Sequence, residues 1–176
     1  MLVVRHRVWV AETIEVASEA DWPLIWPIFD QVVRAGDSYA SPEDLGSDEA
    51  RVLWMERPPG QTVVMRAGDS VVGTAKMGPD RGGRGAHIAT ASFMVDPWMR
   101  RRGVGRALGD YVIGWARRNG YRGIQFNAVV ETNRPAVALW TDLGFAIVGT
   151  VPEAFDHPEH GLVGLHVMYL PLARPS

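Results

Sequence analysis

The chain has 176 residues, 47% hydrophobic and 22% charged, as expected for a soluble globular protein large enough for one domain with a full core. It contains no cysteine, which excludes a disulfide scaffold, a cysteine-ligated zinc site, a haem CxxCH site and a cysteine nucleophile. The net charge is only −2, but nine arginines against two acids in residues 81–122 form a local basic segment, which argues against a general nucleic-acid binder.

The predicted elements, in chain order, alternate between strands and helices. They are a strand at 13–16, a helix from 22 to about 35, a helix at 47–54, strands at 62–67, 70–77 and 87–95, a helix at 103–119, a strand at 123–130, a helix at 135–143, and strands at 145–151 and 164–170. This order predicts an α/β or α+β fold with a mixed sheet of six to seven strands flanked by helices.

We expect a single domain over residues 1–176, with residues 1–12 as an extra strand or a flexible leader. The apolar start is broken by Arg5, His6 and Arg7, so its apolar runs are too short for a signal peptide or a membrane span. A cytoplasmic protein without membrane partners is the expectation.

The most informative segment lies where the strand ending at Val95 meets the helix beginning at Gly103. Glycines there let backbone N–H groups approach a ligand, and the first N–H groups of a helix lack intrahelical partners. The nearby arginines Arg100, Arg101, Arg102 and Arg106 add positive charge. This combination is typical of a diphosphate site. Solvated arginines on an ordinary strand-to-helix turn are the alternative.

Two motifs resemble the GCN5-related N-acetyltransferase (GNAT) family. Arg100, Gly103 and Gly105 match its Q/R-x-x-G-x-G/A cofactor motif, and residues 133–145 match its N-x-x-A-x-x-L-Y-x-x-x-G-F segment. The similarity extends over residues 13–170. It implies the GNAT fold, in which two parallel strands, here ending near Val95 and Val129, splay apart around acetyl-CoA.

The resemblance assigns cofactor contacts position by position. The backbone of Met94 and Val95 would hydrogen-bond the pantetheine arm. The amides of Arg101, Arg102, Gly103, Val104, Gly105 and Arg106 would hold the diphosphate. Asn133 would contact the arm as well as cap its helix, and Trp140 would border the cofactor.

Trp140 departs from the family pattern, in which a tyrosine at this position protonates the departing CoA thiolate. An indole N–H cannot act as a general acid near neutral pH, but it can donate a hydrogen bond. The alternative is that Trp140 only packs its helix onto the sheet.

Asn127 is the predicted catalytic residue. In a regular strand it shares a face with Gln125 and Val129, and its amide could bind the substrate or hold the oxygen of a tetrahedral intermediate. The alternative is an asparagine satisfied by neighbouring backbone. The string around Asn127 is similar to a GNAT branch that includes fungal acetyltransferases acting on proline analogues such as azetidine-2-carboxylate. In that branch an asparagine that matches Asn127 is implicated in catalysis, and a second catalytic asparagine would fall at Thr90.

The resemblance implies an acetyl-CoA-dependent N-acetyltransferase that acts on a small-molecule amine, an amino acid or analogue, without a metal. Tyr39, after the first helix, and Thr90 are candidate acceptor-binding residues. Members of the family often form dimers, so a homodimer is an open alternative. Two other functions stay open: a non-catalytic acyl-CoA-binding or sensing domain, and a protein or peptide N-acetyltransferase.

Overall fold

The computed structural model describes residues 12–172, so residues 1–11 and 173–176, with most of the predicted extra strand or leader, lie outside the description. Seven strands form one sheet in the order β1-β2-β3-β4-β5-β7-β6. Their bounds are β1 Glu12–Val16, β2 Gln61–Ala67, β3 Ser70–Pro79, β4 Ile88–Val95, β5 Gly123–Val130, β6 Ala146–His157 and β7 Gly161–Pro171. The predicted mixed sheet is confirmed, with β4 and β5 as its parallel pair.

Four α-helices flank the sheet: α1 Trp22–Arg34, α2 Ser47–Trp54, α3 Val104–Arg118 and α4 Arg134–Asp142. The starts of α1 and α4 carry proline in the first turn, where its missing N–H costs nothing. Asn133 caps α4 as predicted, because its side-chain oxygen accepts the Ala136 N–H at 3.3 Å. None of the helices in residues 12–172 has the length and apolar character needed to cross a membrane.

The core has two layers, one on each face of the sheet. On one side α1 and α2 pack with residues such as Val64 and Met94, and on the other α3 and α4 pack with residues such as Val63. Adjacent residues Val63 and Val64 point to opposite faces because side chains alternate along a strand. Both faces of β2 are therefore covered, which explains its three consecutive apolar residues, Val63, Val64 and Met65.

The parallel strands β4 and β5 separate almost immediately. They pair only at Ile88–Gly123 and Ala89–Ile124, and beyond these pairs the strands diverge. The β5 register against β7 also shifts between Phe126 and Val129. The predicted splay is confirmed, and it leaves an unpaired edge on β4 between the two halves of the sheet.

The last hairpin is longer than the sequence predicts. β6 continues to His157 rather than ending at residue 151, and Glu153 takes a left-handed φ of 52° where the β6–β7 register shifts. Proline usually ends a central strand, but β6 lies at the sheet edge, where a bulge accommodates Pro152.

Candidate functional site

Two adjoining clefts open at the splay. The central cleft, of about 630 Å³, runs between β4 and β5 and is lined by residues that include Tyr39, Thr90, Phe93, Asn127 and Trp140. The α3 cleft, of about 540 Å³, lies at the beginning of α3. Ser38, Val95, Arg100, Asn133 and Ala136 line both. One elongated ligand could therefore extend from one cleft into the other.

The turn before α3 points backbone N–H groups into the α3 cleft. Arg101 and Gly103 have left-handed φ angles of 62° and 86°. The first intrahelical bond is donated by Ala107 to the Gly103 carbonyl, which leaves the amides of Val104, Gly105 and Arg106 without helical partners. These free N–H groups can donate to an anion, and the positive end of the helix dipole also favours negative charge at this position.

The four arginines of this segment differ in their surroundings. Arg100, Arg101 and Arg106 line the α3 cleft, whereas Arg102 is exposed and is not among its lining residues. The Arg106 guanidinium donates to the Asp142 carboxylate of α4 at 3.0 Å. Arg106 is therefore already paired across the α3–α4 contact, while its backbone N–H faces the cleft side.

Gly105 has a packing role in addition to its predicted role in binding the diphosphate. A β-carbon at this position would stand 3.3 Å from Leu139 Cδ2, so the glycine lets α4 approach α3 closely. At Gly103 nothing lies within 4 Å, and its positive φ is the reason for glycine there.

The unpaired edge of β4 is partly occupied by Tyr39. The Tyr39 hydroxyl donates to the Phe93 carbonyl oxygen at 2.6 Å and accepts the Phe93 N–H at 2.9 Å. Burial raises the pKa of this phenol well above its ordinary value near 10. Tyr39 thus stays protonated and bridges the loop after α1 to the middle of the splay.

The backbone polar groups of Met94, which were predicted to bind the pantetheine arm, do not face the gap between β4 and β5. Polar backbone groups alternate along a strand, so Phe93 and Val95 face the gap while Met94 faces β3. The Met94 carbonyl oxygen indeed lies toward β3, 3.3 Å from where a β-carbon on Gly73 would stand, and its side chain is 2% exposed in the α1–α2 layer. The free edge groups next to the cleft are therefore those of Val95 rather than Met94.

Trp140 is 7% exposed and forms part of an aromatic cluster under the central cleft. Its ring centroid lies 4.6 Å from that of Phe93 and 4.9 Å from that of Phe126. The predicted packing role is confirmed. Among the residues the structure describes, none accepts the indole N–H, and Trp140 also lines the central cleft.

Asn127 lies in the irregular part of β5 and its amide is held from both ends. Its Nδ2 donates to Asp80 Oδ1 at 2.5 Å, and its Oδ1 accepts from Gln125 Nε2 at 2.6 Å. The expectation that Asn127 and Val129 share a face is wrong, because the register shift puts exposed Asn127 and Ala128 before buried Val129. Asn127 does line the central cleft.

The outer wall of the central cleft carries three charged side chains, Glu56 and Arg57 from the segment after α2 and Lys76 from β3. Lys76 donates to the Glu56 carboxylate at 3.1 Å and to the Leu53 carbonyl at 2.7 Å, so its charge is balanced. Arg57 lines the same wall, and within residues 12–172 no carboxylate forms an ion pair with it. Of the two cations on this wall, Arg57 is therefore the one whose charge is not balanced by a described carboxylate, so it can bind an anionic group of a ligand.

Other polar candidates lie away from the clefts. Glu131 accepts the Gly164 N–H and ties the end of β5 to β7, and Glu153 is exposed on β6. His157 is buried at the β6–β7 hairpin, and His166 bonds Thr150 at 2.7 Å. Within the described part of the chain, no three His, Asp or Glu side chains are placed to hold a metal ion.

Three residues of this region were missed by sequence reasoning: Arg57 in the lining of the central cleft, and Asp80 and Gln125 as hydrogen-bond partners of Asn127. Asp80 contacts Asn127 across 47 positions, a separation that no local pattern encodes. Arg57 directly precedes two prolines and a glycine, which marks only a turn.

The chain resembles proteins of known class. The model of the acetyltransferase (GNAT) family matches residues 25–145. N-acetyltransferase aca1 of Schizosaccharomyces pombe is 34% identical over 85 residues, which make up 48% of this chain and 41% of that protein. The chain thus covers less than half of this curated relative.

Solved structures match over nearly the full length. A GCN5-related N-acetyltransferase from Kribbella flavida is 55% identical with a TM-score of 0.90, over 92% of this chain and 98% of that one. A putative acetyltransferase, yncA, from Salmonella typhimurium, solved with acetyl-CoA, is 25% identical with a TM-score of 0.78, over 94% and 96% of the two chains.

Proposed function

The chain belongs to the GNAT acetyltransferase family, whose model matches more than half of it, and on that premise we propose that it transfers acetyl from acetyl-CoA directly to the amine of a small molecule, an amino acid or analogue. The observation that carries the proposal is the pair of adjoining clefts at the splay, one with amides for a diphosphate and one with polar side chains for an acceptor. No metal takes part in the proposed reaction.

The α3 cleft suits the diphosphate of acetyl-CoA. The amides of Val104, Gly105 and Arg106 would donate to it, and the guanidinium groups of Arg100 and Arg101 would add charge. The pantetheine arm would then pass Asn133 and pair with the free backbone groups of Val95 on the β4 edge, as an added strand does.

The reaction itself needs little beyond positioning. The free amine attacks the thioester carbon, the C–S bond breaks, and the amine N–H proton ends on the CoA sulfur, so atoms and charge balance. Asn127 would bind the acceptor beside the thioester. The Trp140 indole N–H would donate a hydrogen bond to the sulfur as negative charge develops on it.

Tyr39 does not replace the missing acid. Its hydroxyl proton is already donated to the Phe93 carbonyl oxygen. Burial also raises the pKa of Tyr39 above its ordinary value, which makes this phenol a weaker acid than a free tyrosine. We assign the proton that the thiolate takes up to the amine N–H, and we place Tyr39 and Thr90 among the acceptor-binding residues of the central cleft.

The amino-acid assignment rests on Arg57. An unpaired guanidinium on the outer wall of the central cleft favours a substrate that carries an anionic group. A carboxylate can accept two parallel hydrogen bonds from a guanidinium. An amine that also carries a carboxylate would therefore contact both Arg57 and Asn127.

The test is a screen of amines with acetyl-CoA, in which the thiol of the released CoA is detected. We expect release only in the presence of amino acids or their analogues, and a loss of kcat/KM for the acceptor in Asn127→Ala. Acetyl-CoA binding in calorimetry without turnover on any amine would favour the non-catalytic binding domain. Release that requires peptides would favour protein acetylation.

A further inference from the structure

The end of β3 carries a carboxylate whose surroundings the family resemblance does not account for. Asp80 follows Pro79, and its side chain is only 5% exposed. Its backbone N–H donates to the Ile88 carbonyl at 2.8 Å, which closes the loop between β3 and β4 and fixes the position of the residue. A buried carboxylate persists only where partners replace its water.

The partners of Asp80 are Asn127 and Arg81. Asp80 Oδ1 accepts from Asn127 Nδ2 at 2.5 Å, while Oδ2 lies 3.4 Å from Nε of the exposed Arg81. Gly78 and Pro79, directly before Asp80, line the central cleft, as does Asn127. The buried charge therefore stands directly behind the side chain that faces the acceptor.

The carboxylate decides which way the Asn127 amide points. An ionised carboxylate only accepts hydrogen bonds, so the Asn127 atom next to it must be the NH₂ nitrogen. With the Asn127 amide turned this way, the Gln125 NH₂ donates to Asn127 Oδ1 at the other end. The amide is thereby fixed against rotation by two bonds.

The same chain of bonds shapes what Asn127 can bind. All donors run in one direction, from Gln125 through Asn127 to Asp80, and hydrogen bonds in such a series polarise one another. The remaining lone pair of Asn127 Oδ1 gains negative character, and the charge behind it attracts a cation. An amine N–H is favoured at this position, and the oxyanion of a tetrahedral intermediate is disfavoured.

We propose that Asp80 is a positioning residue that holds Asn127 with its carbonyl oxygen turned to the N–H of the acceptor amine. This inference rests on the proposed function, and it assigns Asn127 to the acceptor rather than to the oxyanion. Asp80 itself touches neither substrate nor cofactor and acts through Asn127.

The test compares Asp80→Asn with wild type in the full chain. The variant keeps the shape but removes the charge and lets the Asn127 amide rotate. We expect the acceptor KM to rise about tenfold, the loss expected for one hydrogen bond to a charged group, with the acetyl-CoA dissociation constant unchanged. Arg81→Gln is the matched control: it removes the other partner of the same carboxylate and should leave the acceptor KM near that of wild type.

A double-mutant cycle separates positioning from an independent role. In the Asn127→Ala background, Asp80→Asn should have no further effect on kcat/KM for the acceptor. Effects that multiply, or an acceptor KM that does not change in Asp80→Asn, would overturn the proposal.

NMR supplies a readout that does not depend on activity. The Asn127 side-chain NH₂ signals, assigned by their absence in Asn127→Ala, should be narrow and well separated in wild type and should move toward free-amide positions in Asp80→Asn. If the variant does not fold, the wild-type spectrum decides, since averaged signals there would overturn the proposal. A failure of the proposed function would look different: no amine would release CoA from wild type, while the NH₂ signals would still respond to Asp80→Asn.

Discussion

At the scale of single residues, we assign different roles to three side chains of the central cleft. Arg57 provides an unpaired charge on the outer wall, Asn127 a fixed amide on β5, and Trp140 an indole N–H above an aromatic cluster. Substitutions at these positions should therefore affect different kinetic constants.

Arg57→Gln should raise KM for acceptors that carry a carboxylate by about tenfold or more, because a hydrogen bond to a charged group contributes about 1.5–3 kcal/mol. The measurement pairs each amino acid with its carboxamide, which lacks the negative charge. The carboxamide should be a poor substrate of wild type and be little affected by the substitution. Equal losses for both acceptors would contradict carboxylate recognition.

Trp140→Phe should lower kcat several-fold, because it removes the N–H that we assign to the leaving sulfur. The smaller ring also leaves space in the core, at a cost of about 1–2 kcal/mol in the free energy of unfolding. Trp115→Phe is the matched control, since Trp115 is equally buried but stacks on Tyr121 away from the clefts. The two variants should lose similar stability in denaturant unfolding, and only Trp140→Phe should lose kcat.

At the scale of elements, the site depends on how strands and helices end. β4 and β5 stop pairing after Ala89 and Ile124, and α3 begins with a left-handed residue at Gly103. The loop after α1 reaches the exposed β4 edge through Tyr39. These features leave backbone groups of β4 and of the α3 turn unpaired beside the two clefts.

Gly103→Ala should weaken acetyl-CoA binding and lower the unfolding free energy by about 1 kcal/mol, because its φ of 86° is unfavourable for a residue with a β-carbon. Gly120→Ala serves as control at the opposite end of α3, where φ is 75° and nothing lies within 4 Å of a β-carbon. It should lose similar stability and keep the acetyl-CoA dissociation constant of wild type in calorimetry. Loss of affinity in both variants would indicate that general strain, rather than the turn, is responsible.

Tyr39 predicts a change of stability in alkaline solution. Its pKa is raised by burial in the folded protein, so the unfolded chain loses this proton first, and the stabilisation is complete below pH 10 and lost as pH rises above it. The slope approaches about 1.4 kcal/mol per pH unit for one group. Tyr39→Phe should be less stable at pH 8 and show a smaller loss above pH 10 in denaturant unfolding. Parallel pH profiles of the two proteins would contradict the assignment.

The elements themselves were largely predictable, because apolar periodicity, helix caps and glycine–proline turns are local signals. The α3 turn was recognised for the same reason: its strand, glycines and arginines are contiguous. The exceptions have physical causes. The bulge in β5 broke the alternation expected for Asn127 and Val129, and the edge position of β6 let it continue past Pro152. The contacts Tyr39–Phe93 and Asp80–Asn127 join residues 54 and 47 positions apart, so only the folded sheet reveals them.

At the scale of the whole molecule, positive charge is concentrated in one segment of a chain whose net charge is only −2. The segment 81–122 carries the arginines of the α3 turn, while residues 1–60 are acidic. The α3 cleft, which we assign to the diphosphate, is lined by arginines of this segment, and it meets the central cleft near Val95 and Asn133.

Acetyl-CoA binding should weaken as salt rises from about 0.01 to 1 M, over which the Debye length falls from about 30 to 3 Å. The triple variant Arg100→Gln/Arg101→Gln/Arg102→Gln should bind more weakly and show a flatter salt dependence in calorimetry. A second triple variant, Arg81→Gln/Arg84→Gln/Arg117→Gln, removes the same charge from the same basic segment away from the turn and should resemble wild type. Equal effects in both triples would show that net charge, rather than the turn, attracts the cofactor.

The central claim is that acetyl passes directly from acetyl-CoA to a small amine bound at Asn127. Initial rates of CoA release, measured while both acetyl-CoA and the best amino acid acceptor are varied, test this claim most directly, with intact-protein mass spectrometry on samples without acceptor. We predict intersecting reciprocal plots, an N-acetylated acceptor and an unmodified protein. Parallel plots, or a protein that carries acetyl before the amine is added, would contradict it.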